Sequence, residues 1–269
     1  MDEVTRLLKE SNLTHRDKDI LVYLLENKFA DAESIRIQFW DSSVSKLHYR
    51  RLRLLQKRGL IEVFTKDGSN CSLFRLSSKG KRILAILGIN TQPYGRVRAI
   101  YRSPFEHETA VRHVRDTLQK SSLVSNFIPE RKVRAILGGK YGKQSPSQER
   151  YKVPDGMFSL QAQGKIFRVA LEVEMTLKSK KRYRNSFECL LTSPDFDLIF
   201  FVVKDKPTRE KLMSHVTEAK ARSLALKFAK RINGCYFALL SDVLSKSLLA
   251  AFTGENSSFS LNGLEQYQS

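Results

Sequence analysis

The sequence predicts a two-domain α/β (α+β) chain, in which a small helical domain closed by a β-hairpin precedes a larger mixed sheet flanked by helices. Three observations carry this. Residues 14–87 show helical periodicity broken by one pair of short apolar strands around a polar turn. Residues 103–240 run in the order helix, three strands, helix, strand, helix, strand. Between them "GINTQPYGRVRAIYRSP", with Gly88, Pro93, Gly95 and Pro104, follows no period and sets a linker at residues 93–102.

In the first domain, residues 1–92, Thr14 stands ready to cap a helix from about His15 to Asn27, with Ile20, Leu21, Leu24 and Leu25 on one side. A shorter helix covers about Ala32 to Phe39. After a turn at Asp41-Ser42-Ser43, "VSKLHYRRLRLLQKRG" carries an expected apolar stripe of Val44, Leu47, Leu54 and Leu55, and Gly59 stops the helix. The opposite stripe, Lys46, Arg50, Arg53 and Lys57, is a single basic face. "LIEVF" and "CSLFRL", joined through Lys66-Asp67-Gly68-Ser69-Asn70, form a hairpin, and a helix from about Ser78 to Leu87 closes the domain. Over about residues 10–90 this order resembles a winged helix-turn-helix domain. The resemblance implies that the third helix enters the major groove of double-stranded DNA while the hairpin touches the backbone. Lys46, Arg50, Arg53, Lys57 and Lys66 are then the expected DNA contacts. The plainer alternative for such a stripe is a solvated helix face.

The charge balance points the same way. The 269 residues hold 47 Lys+Arg against 28 Asp+Glu, a formal net charge of +19, and the pI is near 9.9. Such an excess, spread over folded segments rather than a lysine-rich tail, implies a polyanionic partner, most commonly nucleic acid. Cys71, Cys189 and Cys235 are far apart and form no C-x-x-C pair, so neither a disulfide framework nor a structural zinc site is expected. No signal peptide opens the sequence and no apolar run approaches the roughly 20 residues of a membrane span. A cytoplasmic protein is expected.

In the second domain, residues 103–255, Ser103 as N-cap and Pro104 at the first helical position open a helix to about Gln119, with His107, Val111, Val114 and Leu118 facing inward. An extended segment from about Leu123 to Ile136, a loop from Gly138 to Arg150 and the strand "YKVPDGMFSL" follow. A short turn at Gln161 to Gly164 leads into "RVALEVEMT". Strand alternation puts Glu172 and Glu174 on one face of it, where two like charges repel and call for a positive neighbour. A basic helix from about Ser179 to Leu191, the apolar strand "DLIFFVV", a helix from about Pro207 to Lys230 and the strand "CYFALL" complete the series. Residues 256–269 are polar and are expected to form a flexible tail.

The hairpin between "PDG" and "LEVEMT" brings Asp155 towards Glu172. Hard divalent cations such as Mg²⁺ take oxygen ligands of this kind, together with water and phosphate, and a cation held there polarises a scissile phosphate and activates the attacking water. Pro154-Asp155 and Glu172-Val-Glu174 resemble the motif of the PD-(D/E)xK nuclease superfamily, which implies a restriction-endonuclease-like domain and cleavage with Mg²⁺ or Mn²⁺. Glu174 stands where that motif carries lysine; Lys178 is the nearest replacement, with Lys180 and Lys181 behind it. A basic winged helix followed by "HETAV", "PDG", "LEVEMT" and "KRYRNSF" is similar to the replication-relaxation proteins and to the mobilisation protein C type of conjugative relaxase. That narrower resemblance implies a protein that nicks one DNA strand at a plasmid or mobile-element origin beside other relaxosome or mobile-element proteins. It implies a metal site of His107, Asp155, Glu172 and Glu174, with Lys178 in catalysis.

Each residue also has a structural alternative. His107 suits a core histidine, Asp155 a turn before Gly156, and the two glutamates a salt-bridged pair facing the basic helix that follows. Tyr183 in "KKRYRNS" is expected to pack or to touch DNA backbone rather than act as a nucleophile. Two other functions stay open: a non-catalytic DNA-binding accessory or regulator on a nuclease scaffold, and a double-strand endonuclease of restriction or transposition type, which would need a homodimer.

Overall fold

Thr14 starts the first helix, α1 (His15–Glu26), with a capping box. Its hydroxyl accepts the Asp17 N–H at 3.3 Å, and the Asp17 carboxylate accepts the Thr14 N–H at 2.8 Å. The computed structural model describes residues 13–40, 46–65, 72–92, 94, 102–134, 152–225, 234–254 and 257–266. The expected turn at 41–43, the hairpin tip with Lys66, Cys71 and the loop from 138 to 150 lie outside the described residues. The chain divides into two compact units, Met1–Arg102 and Ser103–Ser269.

In the first unit α1 is followed by β1 (Ala30–Asp31), α2 (Ala32–Phe39), α3 (Leu47–Lys57), β2 (Ile61–Thr65), β3 (Ser72–Leu76) and α4 (Ser78–Ile86). The strands form an antiparallel sheet in the order β1, β3, β2, so the hairpin gains a third strand and the unit has the winged-helix arrangement. Ile20, Leu24, Ile35, Leu52, Leu55 and Ile83 are fully buried at its centre. The stripe expected on α3 is corrected here. The buried side is His48, Leu52 and Leu55, at intervals of four and three, while Leu47 is 55% exposed. Four leucines within nine residues admit two apolar stripes, and the core takes the one opposite Lys46, Arg50, Arg53 and Lys57.

In the second unit the elements are α5 (Arg102–Leu118), β4 (Val124–Pro129), β5 (Gly156–Ala162), β6 (Lys165–Glu174), α6 (Lys180–Thr192), β7 (Leu198–Val203), α7 (Lys206–Ala225) and β8 (Gly234–Leu239). They are followed by α8 (Leu240–Lys246), a 3-10 turn at Ser247–Leu249, β9 (Phe252–Thr253), β10 (Ser258–Phe259) and α9 (Leu261–Gln266). One seven-stranded mixed sheet runs β10, β9, β8, β7, β6, β5, β4. Strands β4, β5 and β6 pair antiparallel, whereas β6, β7 and β8 are parallel and are joined by crossovers through α6 and α7. Both sheet faces are covered. Ala110, Val114 and Leu118 of α5 pack with Val169, Leu171 and Val173 on one side. Tyr183, Phe187 and Leu190 of α6 pack with Ala170, Ile199 and Phe201 on the other.

The boundaries differ from expectation at four places. Helix α5 begins at Arg102, so Ser103 lies inside the first turn instead of capping it. Residues 130–134 are helical where extended chain was expected. Strand β5 begins at Gly156, since Pro154 has no N–H to extend the ladder. The flexible tail expected over 256–269 is replaced, among the described residues, by a strand pairing of Ser258–Phe259 with Phe252–Thr253 and by Leu261 buried in the core. Its two apolar anchors are too short a signal to stand out in a polar stretch. Cys189 and Cys235 form no disulfide among the described residues. Among the described residues no helix is long and apolar enough to cross a membrane.

Candidate functional site

Strand β6 ends between two parallel and antiparallel neighbours, and its alternation sends Val169, Leu171 and Val173 to the α5 side and Ala170, Glu172 and Glu174 to the α6 side. Glu172 and Glu174 therefore share a face, as expected, and are buried to 5% and 6% exposure. Asp155 sits beside them at the entrance to β5. Its N–H donates to the Leu171 carbonyl at 2.9 Å, and its Oδ2 accepts the Val173 N–H at 2.8 Å. The side chain thus supplies the acceptor that a shorter β5 cannot, which places the carboxylate at the strand end.

His107 reaches the same point from the other layer. Its Nε2 lies 3.2 Å from Asp155 Oδ2 and 3.0 Å from the Val173 carbonyl, an arrangement in which the ring N–H donates to both oxygens. Gly156, next to Asp155, leaves room for the Phe127 ring, which a Cβ there would meet at 2.6 Å.

Each glutamate carries its own lysine. Lys178 Nζ is 2.8 Å from Glu174 Oε2, four residues along the chain, and Lys152 forms an ion pair with Glu172 Oε2. The positive neighbours that two buried acids require are present, but they come from the segments flanking the hairpin rather than from the helix that follows. Lys152 is the residue that sequence reasoning missed. Its signal was slight: one of two cations, with Arg150, in the approach to "PDG", three residues ahead of Asp155. The second oxygen of Glu172, Oε1, is buried and has no hydrogen-bond partner among the described residues.

The electrostatics follow from burial. Enclosure pushes the Glu172 carboxyl up to about 7 against the pull of Lys152, and the nearby Asp155 charge adds to the rise. Burial would raise Asp155 as well, but the His107 hydrogen bond, the charges of His107 and Lys152 and the Val173 N–H hold it below its ordinary 3.8. For His107 burial disfavours the cation, and Asp155 outweighs it, so the imidazole stays above its usual 6.5. Lys152 is likewise held above 10.5 despite desolvation, by the charges of Glu172 and Asp155.

Among the described residues no three His, Cys, Asp or Glu side chains form a group able to hold a metal ion. Of the expected set, His107 and Asp155 are in direct contact at 3.2 Å, while Glu172 and Glu174 lie on the other face of the same strand end. The reason is the sheet itself, since α5 with His107 packs on the face opposite the two glutamates. What does fit a hard cation is smaller, the unpartnered Glu172 Oε1 with Asp155 close by. Tyr183 is buried, and its hydroxyl accepts the Lys178 N–H at 2.9 Å and donates to the Thr176 carbonyl at 3.4 Å. It fixes the segment that carries Lys178.

In the first unit Lys46, Arg50, Arg53 and Lys57 are all exposed, and none has an ion-pair partner among the described residues. Arg51, on the same helix, does not belong with them: it is ion-paired with the fully buried Asp17 of α1. Lys66 lies outside the described residues.

The chain is similar to a solved structure of the restriction endonuclease FokI bound to DNA, at 10% identity and a TM-score of 0.27, over 87% of this chain and 45% of that one. It therefore spans less than half of that protein's length. No family model matches the sequence, and no curated protein does.

Proposed function

We propose that this protein is a DNA-binding, divalent-metal-dependent endonuclease that grips duplex DNA with the basic face of α3 and cleaves a phosphodiester at the end of β6. The observation that carries the reading is Glu172 Oε1, a buried carboxylate oxygen with no partner among the described residues, beside Asp155 and two lysines. An isolated acceptor of that kind costs free energy unless a ligand satisfies it. Asp155 and Glu172 would hold Mg²⁺ or Mn²⁺, which supplies Lewis-acid polarisation of the phosphate and activation of water when bound. Around it this chain's own residues have separate tasks. His107 orients Asp155, Lys152 and Lys178 offer positive charge to the phosphate oxygens, and Glu174 holds Lys178 in place. The motif resemblance favours one-strand cutting at a plasmid or mobile-element origin.

The test is a supercoiled plasmid carrying the origin of the encoding element, incubated with Mn²⁺. Open circles are expected from the wild-type protein and none from Asp155→Ala or Glu172→Ala. Nicking that persists in both variants overturns the assignment, and linear product indicates the double-strand endonuclease, working as a dimer.

One observation favours a second reading. Both glutamates are neutralised by lysines of this chain, so the cluster is electrostatically complete without a metal. A non-catalytic DNA-binding regulator on the same scaffold would show no Mn²⁺ binding by calorimetry, and DNA binding that is independent of Asp155.

A further inference from the structure

Helix α3 stands as a ridge between two grooves of the first unit. One, of about 850 Å³, is lined by Arg16, Trp40, Arg50, Arg53 and Lys57 among others, and reaches the amino-terminal turn of α1. The other, of about 660 Å³, is lined by Lys46, Leu47, Tyr49, Arg50 and Arg53. Arg50 and Arg53 border both. Leu47 and Tyr49, at 55% and 47% exposure, are the large apolar side chains on the ridge, left there because the core uses the other side of the helix.

The first groove is held by structure rather than by chance. The buried Asp17 caps α1 at Thr14 and binds Arg51 of α3, which sets the amino-terminal turn of α1 across the groove from Arg50 and Lys57. In that turn Arg16 is exposed and lies over the Trp40 ring, 5.1 Å from its centroid. Stacking on an indole orients a guanidinium without neutralising it, so its N–H donors stay available to an anion.

A protruding helix with a cationic channel along each flank is complementary to one object: a duplex whose two phosphate backbones run on either side of a helix seated in the major groove. Resting on the duplex-binding reading above, the geometry points to the Arg16–Trp40 groove as the seat of one DNA backbone, with Arg16 as a phosphate contact, and to Lys46 and Tyr49 as contacts to the opposite strand. Arg16 positions the duplex and carries no sequence information, whereas Arg50 and Arg53 face the base edges.

The division of labour is testable with the full-length protein by fluorescence anisotropy over 50–200 mM salt, on the origin duplex and on a scrambled duplex of equal length, as roughly such a range resolves single phosphate contacts. Arg16→Ala is expected to weaken binding to both duplexes by the same factor, about 3- to 10-fold, and to flatten the slope of log K against log salt by about one. Arg50→Ala with Arg53→Ala is expected to reduce the ratio between the two duplexes. If Arg16→Ala leaves affinity and slope unaltered while the double variant loses the ratio, the groove assignment is overturned and the duplex reading stands. If neither variant changes binding, both fail. A loss confined to the origin duplex in Arg16→Ala also overturns the assignment, since it would make Arg16 a base contact.

Discussion

Lys152 neutralises one oxygen of Glu172 and leaves the other, Oε1, buried without a partner among the described residues. A buried pair broken on one side strands the remaining charge. Lys152→Met, which keeps the length of the side chain, is therefore expected to lower stability at pH 8 by about 3 kcal/mol, the scale for removing one partner of a buried ion pair. The deficit should shrink as pH falls through neutrality and Glu172 takes up a proton instead. Urea unfolding at both pH values measures it, and an equal loss at each would contradict the role given to Lys152.

Stability of the second unit should fall as pH rises through about 7. Glu172 and His107 both bind a proton more tightly in the folded chain than their ordinary values of 4.5 and 6.5 imply. Their contribution is complete below those unfolded values and is lost as pH climbs through the folded ones. Asp155, held below 3.8, contributes above that value and loses its contribution as pH drops. The expected maximum lies in the weakly acidic range. Glu172→Gln should flatten the decline between pH 5.5 and 8 in thermal unfolding, and an unchanged slope would refute this origin for it. Metal affinity should run the opposite way and rise over the same interval, because binding displaces the proton from Glu172.

Arg50 and Arg51 are neighbours with opposite tasks. Arg51→Ala leaves the fully buried Asp17 without its cation and weakens the tie between α1 and α3, for an expected loss of about 3 kcal/mol in the first unit. Arg50→Ala touches an exposed side chain and should change stability by no more than about 0.5 kcal/mol while reducing DNA affinity. Denaturant unfolding of the two variants side by side separates them; equal losses would show that the Asp17 pair contributes little.

Gly156→Ala should damage the site without touching a charged residue. The added Cβ meets the Phe127 ring, which is stacked on Phe158 at 6.1 Å between centroids, so either the ring or the start of β5 must move. A cost of about 1–3 kcal/mol is expected from overpacking. Asp155 is next in the chain, so any cleavage activity should fall more than stability alone explains. Full activity in a destabilised variant would show that Phe127 yields and Asp155 stays.

Much of this was legible in the sequence, and the failures have physical causes. Helix and strand periods located nearly every element, because cores on both sheet faces and around α1 leave strong alternation in the chain. That Glu172 and Glu174 share one face of β6 followed from strand alternation, whereas their lysine partners did not. The stripe on α3 was misread because Leu47, Leu52, Leu54 and Leu55 satisfy a helical period in two registers, and only packing against α1 and α2 selects one. Lys152 was missed because its segment reads as the start of a strand but precedes β5, which begins only at Gly156, so strand alternation does not tell which way its side chain turns. The layered separation of His107 from the glutamates was also hidden: which face a helix covers is decided by the crossovers, far away in sequence.

Strand β6 acquires its two neighbours in very different ways. On the β5 side it is joined by a tight turn whose Gln163 and Gly164 both adopt positive φ, so that pairing is local and brings Asp155 to Val173 early. On the β7 side the partner arrives only after all of α6, a non-local contact that forms slowly. Chain order therefore implies that Glu172 and Glu174 are still hydrated when their hairpin closes. Their enclosure waits for β7, which follows both Lys152 and Lys178 in the sequence. The acidic face need not be buried bare, because both of its lysines precede β7 in the chain.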